Sequence, residues 1–136
     1  KPVVSKKRKS VRLSRPLNVL LVEDDSSNQI YIKVLMERFG AELTIADCGQ
    51  EGVCASDAQN FDLILMDLHM PGLNGLETTK QIRKSEYNQN TPIFALTADP
   101  SDHSKKECEA VGIEQIIVKP VTAETLFHRM EFVATQ

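Results

Sequence analysis

Five short apolar runs alternate with longer helix-like segments between residues 18 and 134, and this rhythm most restricts the fold. The runs are NVLLV (18–22), ELTIA (42–46), DLILM (62–66), PIFAL (92–96) and QIIV (115–118). After them come SSNQIYIKVLMERFG (26–40), GQEGVCASDA (49–58), GLETTKQIRKS (75–85), PSDHSKKECEAVG (100–112) and TAETLFHRMEFVA (122–134). Strict strand–helix alternation argues for a parallel sheet with helices on both faces. The nearly continuous apolar character of most runs agrees, because a strand covered on both faces has no polar side. The expectation is one doubly wound α/β domain over residues 17–136, with five parallel strands and five helices. Local punctuation supports the helix limits. Possible serine caps open the first helix and Gly40 closes it. Pro92 suits the first position of a strand. Pro100 suits a helix start, and Thr122 and Thr125 are candidate caps of the last helix.

A chain of 136 residues buries enough surface to fold without disulfide or metal support. Its three cysteines, Cys48, Cys54 and Cys108, form no CxxC pair and read as structural thiols in a reducing cytoplasm. No apolar run approaches the ~18 residues of a membrane span. The basic start is followed by no long apolar stretch, so no secretory signal is expected. Charge is unevenly spread. Residues 1–16 carry seven Lys and Arg and no acid, whereas the remainder carries nine bases and nineteen acids. A flexible basic linker ahead of an acidic body is the simplest reading. The linker has no aromatic residue to stack on bases, so no nucleic-acid partner is expected.

Open parallel sheets of this kind bind ligands beyond the carboxyl ends of their strands. The residues just past each run are therefore informative. Glu23, Asp24 and Asp25 come after the first, Asp67 after the third, Thr97 after the fourth, and Lys119 and Pro120 after the fifth. Any one of them has an ordinary explanation as a helix-start acid or a solvated side chain. Together they bring carboxylates, a hydroxyl and an ammonium to one edge of an apolar sheet.

That mixture suits one chemistry. Crowded carboxylates repel, and so either take up protons or hold a divalent cation. An oxygen-only set suits magnesium. A carboxylate can act as nucleophile and carry a phosphoryl group, while lysine and hydroxyl share the charge on its oxygens. The chain has no GxxxxGK[ST] or GxGxxG loop, so the phosphoryl group is expected from a phosphorylated protein or a small phosphodonor rather than a bound nucleotide.

The pieces LLVEDD, DLILMDLHMPGLNG, ALTA and VKP, at these spacings, closely resemble the receiver domain of two-component response regulators over residues 18 to about 134. The resemblance implies a flavodoxin-like (βα)5 domain of strand order 2-1-3-4-5, an order for which such a protein is a standing example. It implies Asp67 as phosphoacceptor, Thr97 as switch hydroxyl and Lys119 as the lysine that pairs with the phosphoryl group. It implies Mg2+ held by Glu23 through water, by Asp24 and Asp67 directly, and by the backbone carbonyl of His69. The His69 imidazole would then be free to tune dephosphorylation. Asp25 lies just outside the acidic pair, and the Lys119–Pro120 bond is expected to be cis.

The implied function is phosphorelay signalling. A phosphoryl group passes from phosphohistidine to Asp67, and then to a histidine phosphotransfer partner or to water. The partner, a histidine-kinase dimerisation domain or a phosphotransfer protein, is expected to dock near the first helix at Ile30 and Val34. Seven apolar residues of that helix cover more than one face, wider than burial alone requires. One departure stands out: Ile116 occupies the position, three before the lysine, where receivers often carry Tyr or Phe. The linker before the domain and the stop at Gln136 suggest the C-terminal receiver of a hybrid sensor histidine kinase, on the cytoplasmic side of a membrane-bound parent. A pseudo-receiver that only binds partners, and an aspartyl-nucleophile phosphatase, are the other readings.

Overall fold

The computed structural model describes residues 11–136. Its elements alternate as β1 (Asn18–Val22), α1 (Ser26–Phe39), β2 (Glu42–Ala46), α2 (Gly49–Ala58), β3 (Leu63–Asp67), α3 (Gly75–Ile82), β4 (Ile93–Thr97), α4 (Asp102–Ala110), β5 (Gln115–Val118) and α5 (Ala123–Ala134). The strands form one parallel sheet of order β2-β1-β3-β4-β5. Fold class and strand order are those the resemblance implied.

Successive strand residues point to opposite faces, and both faces are buried. From β1, Val19 and Leu21 enter a core layer with Ile32, Leu35, Met36 and Phe39 of α1 and Leu126 and Met130 of α5. Leu20 and Val22 enter the opposite layer with Ile64, Met66, Ile82, Ile93 and Cys108. Three strands therefore need apolar residues at nearly every position, and β3 and β4 are buried along their whole length. Cys108 packs in that second layer, as a structural thiol would.

Local chemistry sets the helix ends. Asp25, rather than a serine, caps α1 by accepting from Asn28 N–H. Gly40 ends it at φ 81°, a left-handed position that glycine adopts without a Cβ penalty. Asn74, Ser101 and Thr122 cap α3, α4 and α5 in the same manner as Asp25. The third helix is shorter than the 75–85 expected from sequence, stopping at Ile82. Arg83 instead turns its guanidinium onto the carbonyls of Asn88, Gln89 and Thr91, tying the following loop. Strands β3 and β4 each end one residue later than their apolar runs. Asp67 and Thr97 still pair with the neighbouring strand, at Asp67↔Leu96 and Thr97↔Val118.

Part of the expected basic linker, residues 1–10, lies outside the described residues. Its remainder packs on the domain. Leu13 is buried and its N–H donates to Phe39 O. Ser14 bonds Glu131, and Arg15 reaches Ala134 O and Asp62. These contacts extend the packed body N-terminally beyond residue 17. Among the described residues, no helix is long and apolar enough to cross a membrane.

Candidate functional site

All five strands run the same way, so their carboxyl ends share one edge, and the acids predicted from sequence meet there. Asp67 closes β3 with only 2% of its surface exposed. Its Oδ1 accepts the His69 N–H at 3.1 Å and lies 3.2 Å from Lys119 Nζ. Lys119 follows β5, and its own N–H donates to Thr97 O at 2.8 Å, which fixes the stem of the lysine against β4. The Lys119–Pro120 peptide is cis, as expected.

Glu23, the residue after β1, is 1% exposed, whereas Asp24 is exposed. Carboxylate oxygens of Glu23, Asp24 and Asp67 lie within 4.8 Å of one another. Burial, with Asp67 adding to it, pushes the Glu23 carboxyl up to about 7, against the lowering pull of the Asp25 N–H and Lys119. A single lysine thus faces more carboxylates than it can neutralise. Asp25 takes no part in this cluster beyond donating its N–H to Glu23 Oε2 and capping α1.

Thr97 is fully buried at the end of β4. Its hydroxyl accepts the Asp99 N–H at 3.0 Å and lies 3.0 Å from Nε2 of His69. The imidazole, expected to tune dephosphorylation, thus contacts the Thr97 hydroxyl. Ile116 is half-buried and packs against the core layer that contains Ile64 and Ala95.

Two further contacts shape the site and were not anticipated. Gln29 Nε2 donates to Glu23 O and to Asp47 Oδ1, both at 2.7 Å, holding the start of α1 against the ends of β1 and β2. Tyr31 Oη donates to Val121 O at 2.7 Å, bridging α1 to the loop after Pro120. The Gln29–Asp47 and Tyr31–Val121 bonds have no local signature, because they join residues of elements far apart in sequence. Tyr31 and Val121 also line a groove of about 410 Å3, with Glu23, Asn28, Ile32 and Lys119. Ile30, Tyr31 and Val34 are exposed beside it, while Ile32, Leu35, Met36 and Phe39 face the core. The surplus apolar residues of α1 thus form a surface patch next to the acidic cluster.

Glycine is required where the chain after Asp67 folds back. A Cβ on Gly75 would lie 2.6 Å from Asp67 O and 2.7 Å from Leu68 Cα, both backbone atoms. Gly72 has φ 74° in the loop between, directly after Pro71.

Known proteins share this fold. The family model for the response regulator receiver domain matches residues 19–131. The CAI-1 autoinducer sensor kinase/phosphatase CqsS of Vibrio cholerae is 35% identical over 113 residues, covering 82% of this chain and 16% of the relative. The chain thus spans about a sixth of the length of that sensor kinase. The receiver domain of the sensor histidine kinase PA1611 of Pseudomonas aeruginosa, solved with magnesium in its active-site cleft, superposes with a TM-score of 0.82. It is 30% identical, over 90% of this chain and all of that one. The receiver domain of Ssk1 from Saccharomyces cerevisiae, solved with the histidine phosphotransfer protein Ypd1, superposes at TM-score 0.81 with 30% identity, covering 88% and 90% of the two chains. With the family model spanning nearly the whole folded body, this chain belongs to the response regulator receiver domain family.

Proposed function

We propose that this domain accepts a phosphoryl group from phosphohistidine onto Asp67 and relays it to a histidine phosphotransfer partner. The observation that carries the reading is the buried Asp67 carboxylate in contact with Lys119, beside Glu23 and Asp24 and one strand from Thr97. In the transfer the P–N bond of the donor breaks and a P–O bond to Asp67 forms, and the imidazole of the donor departs. Lys119 places positive charge against the oxygens of the transferring group, and Thr97 supplies a hydroxyl to another. Burial of Asp67, Glu23 and Thr97 makes contacts to these groups stronger than they would be in bulk water.

The donor set fits a magnesium ion. Three carboxylates with oxygens within 4.8 Å form an all-oxygen cluster in which one lysine is in contact with Asp67. Glu23, Asp24, Asp67 and the His69 carbonyl are the groups that would hold it. When bound, the ion supplies charge neutralisation for the carboxylates and the incoming phosphoryl oxygens. The magnesium reported for the PA1611 receiver supports this assignment.

The partner is a helical phosphohistidine domain that docks on the patch of Ile30, Tyr31 and Val34. That patch borders the groove leading to Lys119, so a helix laid on it brings a histidine to the mouth of the site. The parent protein is a hybrid sensor histidine kinase, and this domain works on the cytoplasmic side of its membrane. Resemblance to the CqsS sensor kinase over a sixth of its length supports that origin.

Intact mass after incubation with magnesium and a small phosphodonor tests the reading. One added phosphoryl group is expected, lost without magnesium and in Asp67→Asn. A chain that gains nothing even from a phosphohistidine protein would be a pseudo-receiver.

A further inference from the structure

We infer that His69 is a positioning residue that acts through Thr97: its imidazole holds the Thr97 hydroxyl in the unphosphorylated domain and releases it to the phosphoryl group. The inference rests on the phosphoacceptor reading above. His69 is tied to both reacting elements at once. Its backbone N–H donates to Asp67 Oδ1 at 3.1 Å, and its ring Nε2 lies 3.0 Å from Thr97 Oγ1.

We take the hydroxyl as the donor in the second bond, an assignment that rests on its buried proton. Thr97 Oγ1 accepts the Asp99 N–H at 3.0 Å, so its lone pairs are partly used, while its proton still needs an acceptor. Thr97 is fully buried, and an unpartnered hydroxyl proton there is costly. A neutral imidazole has one acceptor nitrogen. The arrangement that satisfies every group has the hydroxyl donating to Nε2, with the His69 proton on Nδ1. The proton that a phosphoryl oxygen requires from Thr97 is then committed to His69. Phosphorylation exchanges one acceptor for the other, and the imidazole is freed.

His69 itself is exposed, so no packing forces its ring inward. Loss of the ring should spare the fold and shift the balance between the two arrangements. Removing it leaves the hydroxyl without its acceptor in the unphosphorylated state only, which favours the phosphorylated arrangement.

Beryllofluoride, a phosphoryl mimic, gives an equilibrium test with magnesium present and no turnover. Its affinity is measured by NMR for the unsubstituted domain, His69→Leu, His69→Gln, Thr97→Val and the double variant His69→Leu/Thr97→Val. His69→Leu is expected to bind roughly fivefold tighter, the factor for one net hydrogen bond. His69→Gln, which keeps an acceptor, should stay near the unsubstituted value. In the Thr97→Val background, His69→Leu should change nothing, since a residue acting through the hydroxyl has no effect without it. Ring 15N shifts should show Nε2 unprotonated and bonded in the free domain, and released when the mimic binds. An unchanged affinity in His69→Leu, or the same change in the Thr97→Val background, would overturn the inference. If the unsubstituted domain binds no beryllofluoride and Asp67 takes no phosphoryl group, the phosphoacceptor reading fails and this inference fails with it.

Discussion

Lys119 Nζ lies 3.2 Å from Asp67 Oδ1, and the carboxylate it meets is almost wholly buried, with Glu23 also buried beside it. The pair joins residues 52 apart in sequence across the ends of β3 and β5, with β4 between them. A lysine so placed does two things. It offsets the repulsion between buried carboxylates, and it is poised for the oxygens of a group carried on Asp67.

Lys119→Met is therefore expected to lower the rate of Asp67 phosphorylation by about 100-fold, the usual scale for losing one preorganised charge contact. The fold should persist, because the methionine keeps the apolar stem. Time-resolved intact mass with a small phosphodonor reads the rate, and circular dichroism reads the fold. A rate within threefold of the unsubstituted domain would remove Lys119 from the transfer.

Stability should depend on pH through Glu23 when no divalent cation is present. Its carboxyl sits at about 7 in the folded domain against an ordinary value of 4.5. Between those values the folded state holds a proton that the unfolded state has lost, so stability falls as pH rises through this window. Urea denaturation in EDTA at pH 4.5 to 8 should show that decline, and Glu23→Gln should flatten it. Magnesium should restore stability at pH 8 in the unsubstituted domain. A Glu23→Gln variant with the same slope would place the titration elsewhere.

Gly75→Ala should destabilise the domain by about 1–3 kcal/mol, as overpacking does. The new methyl would press on Asp67 O and Leu68 Cα, which are backbone and cannot swing aside. Because the strain falls on the phosphoacceptor itself, phosphorylation should slow as well. Gly72→Ala is the contrast: nothing lies within 4 Å of its missing Cβ, and only its φ of 74° is penalised. Thermal melts and intact-mass kinetics of both variants separate the two effects.

Charge placed on the exposed face of α1 should separate docking from chemistry. Ile30→Glu and Val34→Glu sit at 64% and 46% exposed positions, so the fold should tolerate them. Transfer from a phosphohistidine protein should slow by tenfold or more, on the order of a lost interface anchor. Phosphorylation by a small phosphodonor should be unchanged. Equal slowing in both assays would show damage to the site rather than loss of a docking surface.

The order and kind of all ten elements are legible along the chain, because periodicity and capping act within a few residues. Gly40 stops α1, and Thr122 starts α5, for reasons contained in their own neighbourhoods. The acids and the lysine at the strand ends were legible for the same reason, since each directly follows an apolar run. Tertiary structure alone decided which atoms meet. Thr97 finds His69, Tyr31 finds Val121 and Leu13 finds Phe39 through sheet order and helix placement, which no local spacing encodes. It also decided the element ends that pairing or side-chain anchoring controls. Asp67 and Thr97 join their strands because a neighbouring strand offers partners, and α3 ends early where Arg83 binds carbonyls of the loop that follows. The engaged imidazole of His69 belongs to this second class. A histidine two residues past an acid says nothing of its ring until β4 stands beside β3 and puts a buried hydroxyl within its reach.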